Sequence, residues 1–153
     1  MSFRVLGTNH TSFTVSNLDR TIAFFRDCLG FEVISKAPRE LVLTERVTGI
    51  PGADIVVAYV RGPGHSLELI EFHGPASRGK VSCRACDTGA FHLAYGVDDL
   101  DGALQAFKEY EVLPVAAPIT VDAGPNKGAR IAFVRDWDGI MLELIQAPST
   151  KIE

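Results

Sequence analysis

Residues 65–72 read HSLELIEF and residues 139–146 read GIMLELIQ. Each is an apolar run of strand-forming residues with a carboxylate at its centre, Glu68 in the first and Glu143 in the second. Side chains on a strand point alternately to opposite faces. Leu67 and Leu69 therefore share one face and Glu68 takes the other; Leu142 and Leu144 likewise pack together while Glu143 points away. A carboxylate set among apolar neighbours costs several kcal/mol unless something pairs it. The chain builds this arrangement twice.

The repetition extends beyond the glutamates. Residues 10–33 read HTSFTVSNLDRTIAFFRDCLGFEV, and residues 92–115 read HLAYGVDDLDGALQAFKEYEVLPV. Without gaps, His10 aligns with His92, Val15 with Val97, Leu18 with Leu100, Asp19 with Asp101, Phe25 with Phe107 and Val33 with Val115. Further on, AYVRGPGHSLELIE matches AFVRDWDGIMLELIQ once one residue is gapped. Two units follow one another in a single domain spanning 1–153. Module one covers about 5–72, a Gly- and Ser-rich linker about 73–90, and module two about 91–147.

Each unit opens with a strand, His10 to Val15 or His92 to Val97. A helix follows, with Ser16 or Asn17 as its cap in the first unit and Asp98 in the second. Leu18, Ile22, Phe25 and Leu29 lie on one helical face, with Gly30 as the terminating residue. Strands are expected near 31–35, 41–46, 55–61 and 66–72, then near 112–121, 129–135 and 140–146, joined by the hairpin turns RGPGH and RDWDG. The fold class is α+β: two tandem βαβββ modules whose mixed sheets form a cup.

On the first strands Thr11, Phe13 and Val15 face the helix, and so do Leu93, Tyr95 and Val97. His10 and His92 then lie on the uncovered face, as do Glu68 and Glu143. Two imidazoles and two carboxylates suit a divalent transition metal: Zn, Ni, Co, Mn or Fe. A lone strand histidine is more often a core residue, and a lone strand glutamate more often faces solvent. The duplicated pair is what favours His10, Glu68, His92 and Glu143 as ligands of one ion. His65 and His73 fall in turns or linker as solvated residues, and Trp137 as a packing or rim residue.

Composition narrows the classes. The chain has 153 residues, a formal net charge of -4, 46% hydrophobic and 22% charged residues, as in an ordinary globular protein. No basic cluster points to nucleic acid, and no apolar run is long enough for a membrane span. The opening MSFRVLGTNH lacks a signal-peptide core, so a cytoplasmic location is expected. Cys28, Cys83 and Cys86 are expected as reduced thiols, with Cys83 and Cys86 in a connecting loop.

These blocks together resemble the vicinal oxygen chelate superfamily, which includes glyoxalase I, methylmalonyl-CoA epimerase, extradiol dioxygenases and bleomycin- and fosfomycin-resistance proteins. The resemblance covers nearly the whole chain and implies paired βαβββ modules around a metal, often in a homodimer. Glyoxalase I is similar in offering His or Gln, Glu, His and Glu in order, onto which His10, Glu68, His92 and Glu143 map. VTGIPGADI resembles cyclitol epimerases of the same superfamily.

The resemblance implies a metal-dependent lyase or epimerase acting on a small-molecule substrate with neighbouring hydroxyl and carbonyl oxygens. A proton would shift through an enediolate. Glu143 would act as base, and Glu68 would serve the other stereochemical face. GPNKG at 124–128 resembles a mobile lysine-glycine loop, making Asn126 and Lys127 candidate substrate contacts. Segments 36–52 and 118–128 are expected as cleft walls. No arginine set matches a glutathione pocket. An Fe(II) extradiol-type dioxygenase would need the metal position that Glu68 fills. A non-enzymatic drug-binding protein would need no duplicated ligands.

Overall fold

The computed structural model describes residues 3–148. The chain divides into two compact units, Met1–Gly79 and Lys80–Glu153. In the first, β1 (Thr11–Val15) leads into α1 (Leu18–Ala23), which continues as a π-helical turn over Phe24–Cys28. Then come β2 (Glu32–Pro38), α2 (Leu41–Thr48), β3 (Asp54–Gly62) and β4 (His65–Gly74). The second unit runs β5 (Leu93–Val97), α3 (Leu100–Glu109), β6 (Leu113–Pro114), β7 (Ile119–Thr120), β8 (Arg130–Arg135) and β9 (Met141–Gln146). The fold is α+β, with a mixed sheet in each unit.

The two sheets repeat one topology. Strand order is β1-β4-β3-β2 in the first and β5-β9-β8-β6 in the second, with β7 also pairing β8. The first strand lies parallel to the last, and the remaining pairs are antiparallel. The last strand, which carries the central glutamate, is therefore flanked on both sides. Leu67, Leu69 and Leu144 are fully buried. Each contributes roughly 1.5–3 kcal/mol relative to exposure. Glu68 and Glu143 point to the opposite face of their strands.

Residues just past these glutamates tie each sheet to its helix. Glu71 Oε2 accepts from the Leu18 backbone N–H at 2.7 Å, and Gln146 Oε1 accepts from the Leu100 N–H at 3.1 Å. Both N–H groups sit at helix starts, where no intrahelical acceptor exists. The caps are Asn17, accepting from Arg20 N–H, and Asp99, accepting from Gly102 N–H. Asp99 takes the place expected of Asp98. It directly precedes Leu100, as Asn17 precedes Leu18, and its extended backbone aims the carboxylate back at the first turn.

Four further expectations give way. Segment 41–46, expected as a strand, is part of α2. Glu40 caps it, accepting from Val42 N–H at 2.9 Å and Leu43 N–H at 2.6 Å, and Gly49 ends it at φ 68°. These local signals override the strand-like Leu-Val-Leu-Thr. Segment 112–121 breaks into β6 and β7, because Pro114 and Pro118 lack the N–H that a continuous ladder needs. β4 extends to Gly74, so His73 lies in a strand rather than in the linker. His65 starts β4 half-buried, its Nε2 2.7 Å from Thr11 Oγ1, and is no solvated turn residue.

Candidate metal and active site

Each histidine immediately precedes the first strand of its unit. Strand alternation places His10 on the same face as Ser12, and Ser12 pairs in register with Glu68. Ala94 pairs in the same way with Glu143, below His92. The side chains meet accordingly. His10 Nε2 lies 3.3 Å from Glu68 Oε2, and His92 Nε2 lies 3.3 Å from Glu143 Oε2. Both carboxylates are 17% exposed. The structure thus brings the four predicted residues together as two like pairs, one per unit. Among the described residues no group of three or more His, Cys, Asp or Glu side chains is close enough to hold a metal ion. Each unit supplies one His–Glu pair.

The donor chemistry fits a divalent ion. Both pairs present a ring nitrogen and a carboxylate oxygen side by side, each carboxylate flanked by leucines on its strand, with no Lys or Arg bound to either carboxylate among the described residues. Asn9 Oδ1 lies 2.7 Å from His10 Nδ1. An N–H at Nδ1 leaves the Nε2 lone pair facing Glu68, the tautomer a metal ligand requires.

Two aromatic residues were not singled out from sequence. Tyr59 stands opposite Glu68 across β3 and β4, and Phe133 stands opposite Glu143 across β8 and β9. Each ring meets its histidine edge-on, with centroids 5.7 Å apart for His10 and Tyr59 and 5.1 Å for His92 and Phe133. Tyr59 also donates its hydroxyl to Glu68 Oε1 at 2.5 Å. That hydrogen bond, with burial behind it, raises the Tyr59 pKa above its ordinary value, while Arg39 pulls weakly the other way. The signal was present in the aligned AYVRG and AFVRD, where Tyr and Phe occupy equivalent positions.

An open cavity of about 790 Å³ lies within the second unit. Ile131, Phe133 and Met141 contribute apolar surface, and Phe133 also touches His92, so cavity and His–Glu pair adjoin. The walls come from Ser82–Ala85 and Asp87 on one side and from Val115–Ala117 and Ile119 on the other. Of the expected wall 118–128 only Ile119 takes part, and 36–52 does not line this cavity. Arg135 fixes the linker wall, donating from Nη2 to the Cys83 carbonyl at 2.6 Å. Arg84 is engaged by Asp87 at 2.8 Å. Cys83 and Cys86 are free thiols in this loop. Asn126 and Lys127 stand exposed in a turn and are not among the lining residues. Trp137 is half-buried in its hairpin turn, its carbonyl accepting from Lys80 Nζ at 2.8 Å.

Among the described residues no helix is long and apolar enough to cross a membrane. Among curated relatives, a lactoylglutathione lyase of Haemophilus influenzae is 33% identical over 93% of this chain and 93% of its own. A 2-epi-5-epi-valiolone epimerase of Actinomyces is 31% identical over 94% of this chain and 81% of its own. Among solved structures, a glyoxalase family protein of Bacillus cereus superposes with a TM-score of 0.83 at 23% identity, covering 97% of this chain and 98% of that one. The family model of the glyoxalase/bleomycin resistance protein/dioxygenase superfamily matches residues 7–144. With two repeated units, each carrying one His–Glu pair, the chain belongs to that superfamily.

Proposed function

We propose that this protein is a divalent-metal-dependent lyase or epimerase that moves a proton on a small hydroxy-carbonyl substrate. The observation that carries this reading is the duplicated His–Glu pair: His10 with Glu68 and His92 with Glu143, each at 3.3 Å on the face its helix leaves open. In this reading the two halves combine into one His₂Glu₂ set, in a homodimer. The relatives support the reaction class, since a lyase and an epimerase both stand at about 30% identity.

The four side chains would hold the ion. When bound, it supplies Lewis-acid charge against the oxygens of an enediolate. The rest falls to the chain. The cavity beside Phe133 receives the body of the substrate, and its apolar floor keeps water from the reacting carbon. Glu143, next to that cavity, takes the proton from carbon and returns it to the neighbouring carbon or the opposite face. Proximity matters more than basicity here, because a carboxylate must lie within hydrogen-bond reach of the proton it abstracts. The arginines near the cavity are engaged within the protein, Arg84 by Asp87 and Arg135 by the Cys83 carbonyl. That favours a compact substrate such as a keto-cyclitol over a multiply charged thiol conjugate.

The test is solvent deuterium incorporation. Metal-loaded protein is incubated in D₂O with hemithioacetals and with keto-cyclitols, and the recovered compounds are analysed for deuterium at carbon. Incorporation that requires both metal and Glu143 supports the proposal. Absence of exchange on every hydroxy-carbonyl compound, from protein that carries metal, would overturn it.

A further inference from the structure

The two His–Glu pairs match in strand position, histidine distance, carboxylate exposure and ring contact, yet differ in the polar partners that hold them. In the first unit the aromatic residue across from the glutamate is Tyr59, and its hydroxyl donates to Glu68 Oε1. In the second it is Phe133, which has no hydroxyl. Among the described residues no donor binds the free oxygen of Glu143. The histidines differ in the same sense, since His10 Nδ1 is held by Asn9. One pair is braced on both members, and the other rests on ring contact alone.

We propose that Tyr59 is a positioning residue: its hydroxyl pins Glu68 as a fixed metal ligand, and the lack of a counterpart at Phe133 leaves Glu143 as the carboxylate free to swing between metal and substrate. This rests on the metal reading above. A carboxylate held through Oε1 can present only Oε2, in one direction, so the entropy of orienting it is met before the ion arrives. A carboxylate free at one oxygen can turn about its own bonds, which a base that must reach a carbon-bound proton requires. Tyr59 thereby makes two chemically identical ligands unequal, and Glu143 has the cavity beside it.

Co(II) binding to the full-length protein tests this without a substrate. The probe is Co(II) itself, titrated into metal-free protein, with affinity read by chelator competition and ligand geometry by the visible absorption bands. Tyr59→Phe keeps the ring, and hence the contact with His10, and removes only the hydroxyl. Affinity is expected to fall about 10–100-fold, with altered bands, as for loss of a partner that orients a ligand. Phe133→Tyr adds the missing hydroxyl. It is expected to bind Co(II) at least as tightly as wild type while losing proton transfer.

Wild-type affinity and bands in Tyr59→Phe would overturn the proposal and leave the metal reading intact. So would weakened binding in Phe133→Tyr, which keeps the test open if Tyr59→Phe fails to fold. Wild-type protein that takes up no Co(II) would overturn the metal reading and this proposal with it.

Discussion

His92 Nε2, just ahead of β5, lies 3.3 Å from Glu143 Oε2 on the neighbouring parallel strand β9, and the aromatic residue beside them also lines the cavity of the second unit. In the proposed account Glu143 both holds metal and moves the proton. Glu143→Gln keeps the shape and one oxygen donor but removes the basic carboxylate. Turnover is expected to fall roughly 10²–10⁴-fold, the usual contribution of a positioned base, while most of the metal is retained. Elemental analysis beside initial rates checks this. Loss of metal in proportion to activity would reduce Glu143 to a ligand.

Ile131 shares a face with Phe133 two residues along β8 and lines the cavity. Ile131→Trp fills part of that volume without touching either His–Glu pair. Substrate affinity is expected to weaken by at least about tenfold, on the scale of a lost pocket contact, with metal content unchanged. An unaltered KM would place the substrate elsewhere.

Gln146 accepts the Leu100 N–H at the buried start of α3. Gln146→Ala leaves that donor without its partner, at an expected cost of about 1–3 kcal/mol. Urea unfolding measures it, with exposed Lys108→Ala as a control expected within about 0.5 kcal/mol of wild type. Equal stability of the two variants would mean that water replaces Gln146 without penalty.

Asp136 opens the second hairpin turn, and burial pushes its pKa up to about 6, against backbone N–H donors from Asp138 and Ile140 that pull it down. The folded chain therefore holds this proton more tightly than the unfolded chain does. The stability so gained is complete below the unfolded pKa of 3.8 and lost as pH rises through about 6. Asp136→Asn keeps an oxygen for both N–H groups and removes the charge. Its stability relative to wild type is expected to rise by on the order of 2 kcal/mol between pH 4 and 7. Urea unfolding at both pH values checks this, and a pH-independent difference would contradict it.

The internal repeat made the fold and the placement of the two His–Glu pairs legible in the sequence. Period-two alternation alone puts Glu68 and Glu143 opposite their leucines, and the alignment of His10 with His92 completes each pair. The helical assignment of Leu41–Thr48 was harder. Its apolar residues read as a strand, and only the caps Glu40 and Gly49 distinguish it. Tyr59 was overlooked because an aromatic residue in a strand ordinarily signals packing. Its hydroxyl gains meaning only when register sets it across from Glu68. The cavity wall at 82–87 could not be read either, because the Arg135 contact to Cys83 joins residues distant in sequence.

Metal stoichiometry tests the central claim most directly. Protein purified without chelator is analysed for Zn, Ni, Co, Mn and Fe, beside His10→Ala and His92→Ala as separate variants. About one ion per chain, lost in either variant, is the result expected if the two pairs form one site. Protein that neither carries nor takes up any of these metals, or single variants that both retain full occupancy, would contradict the account.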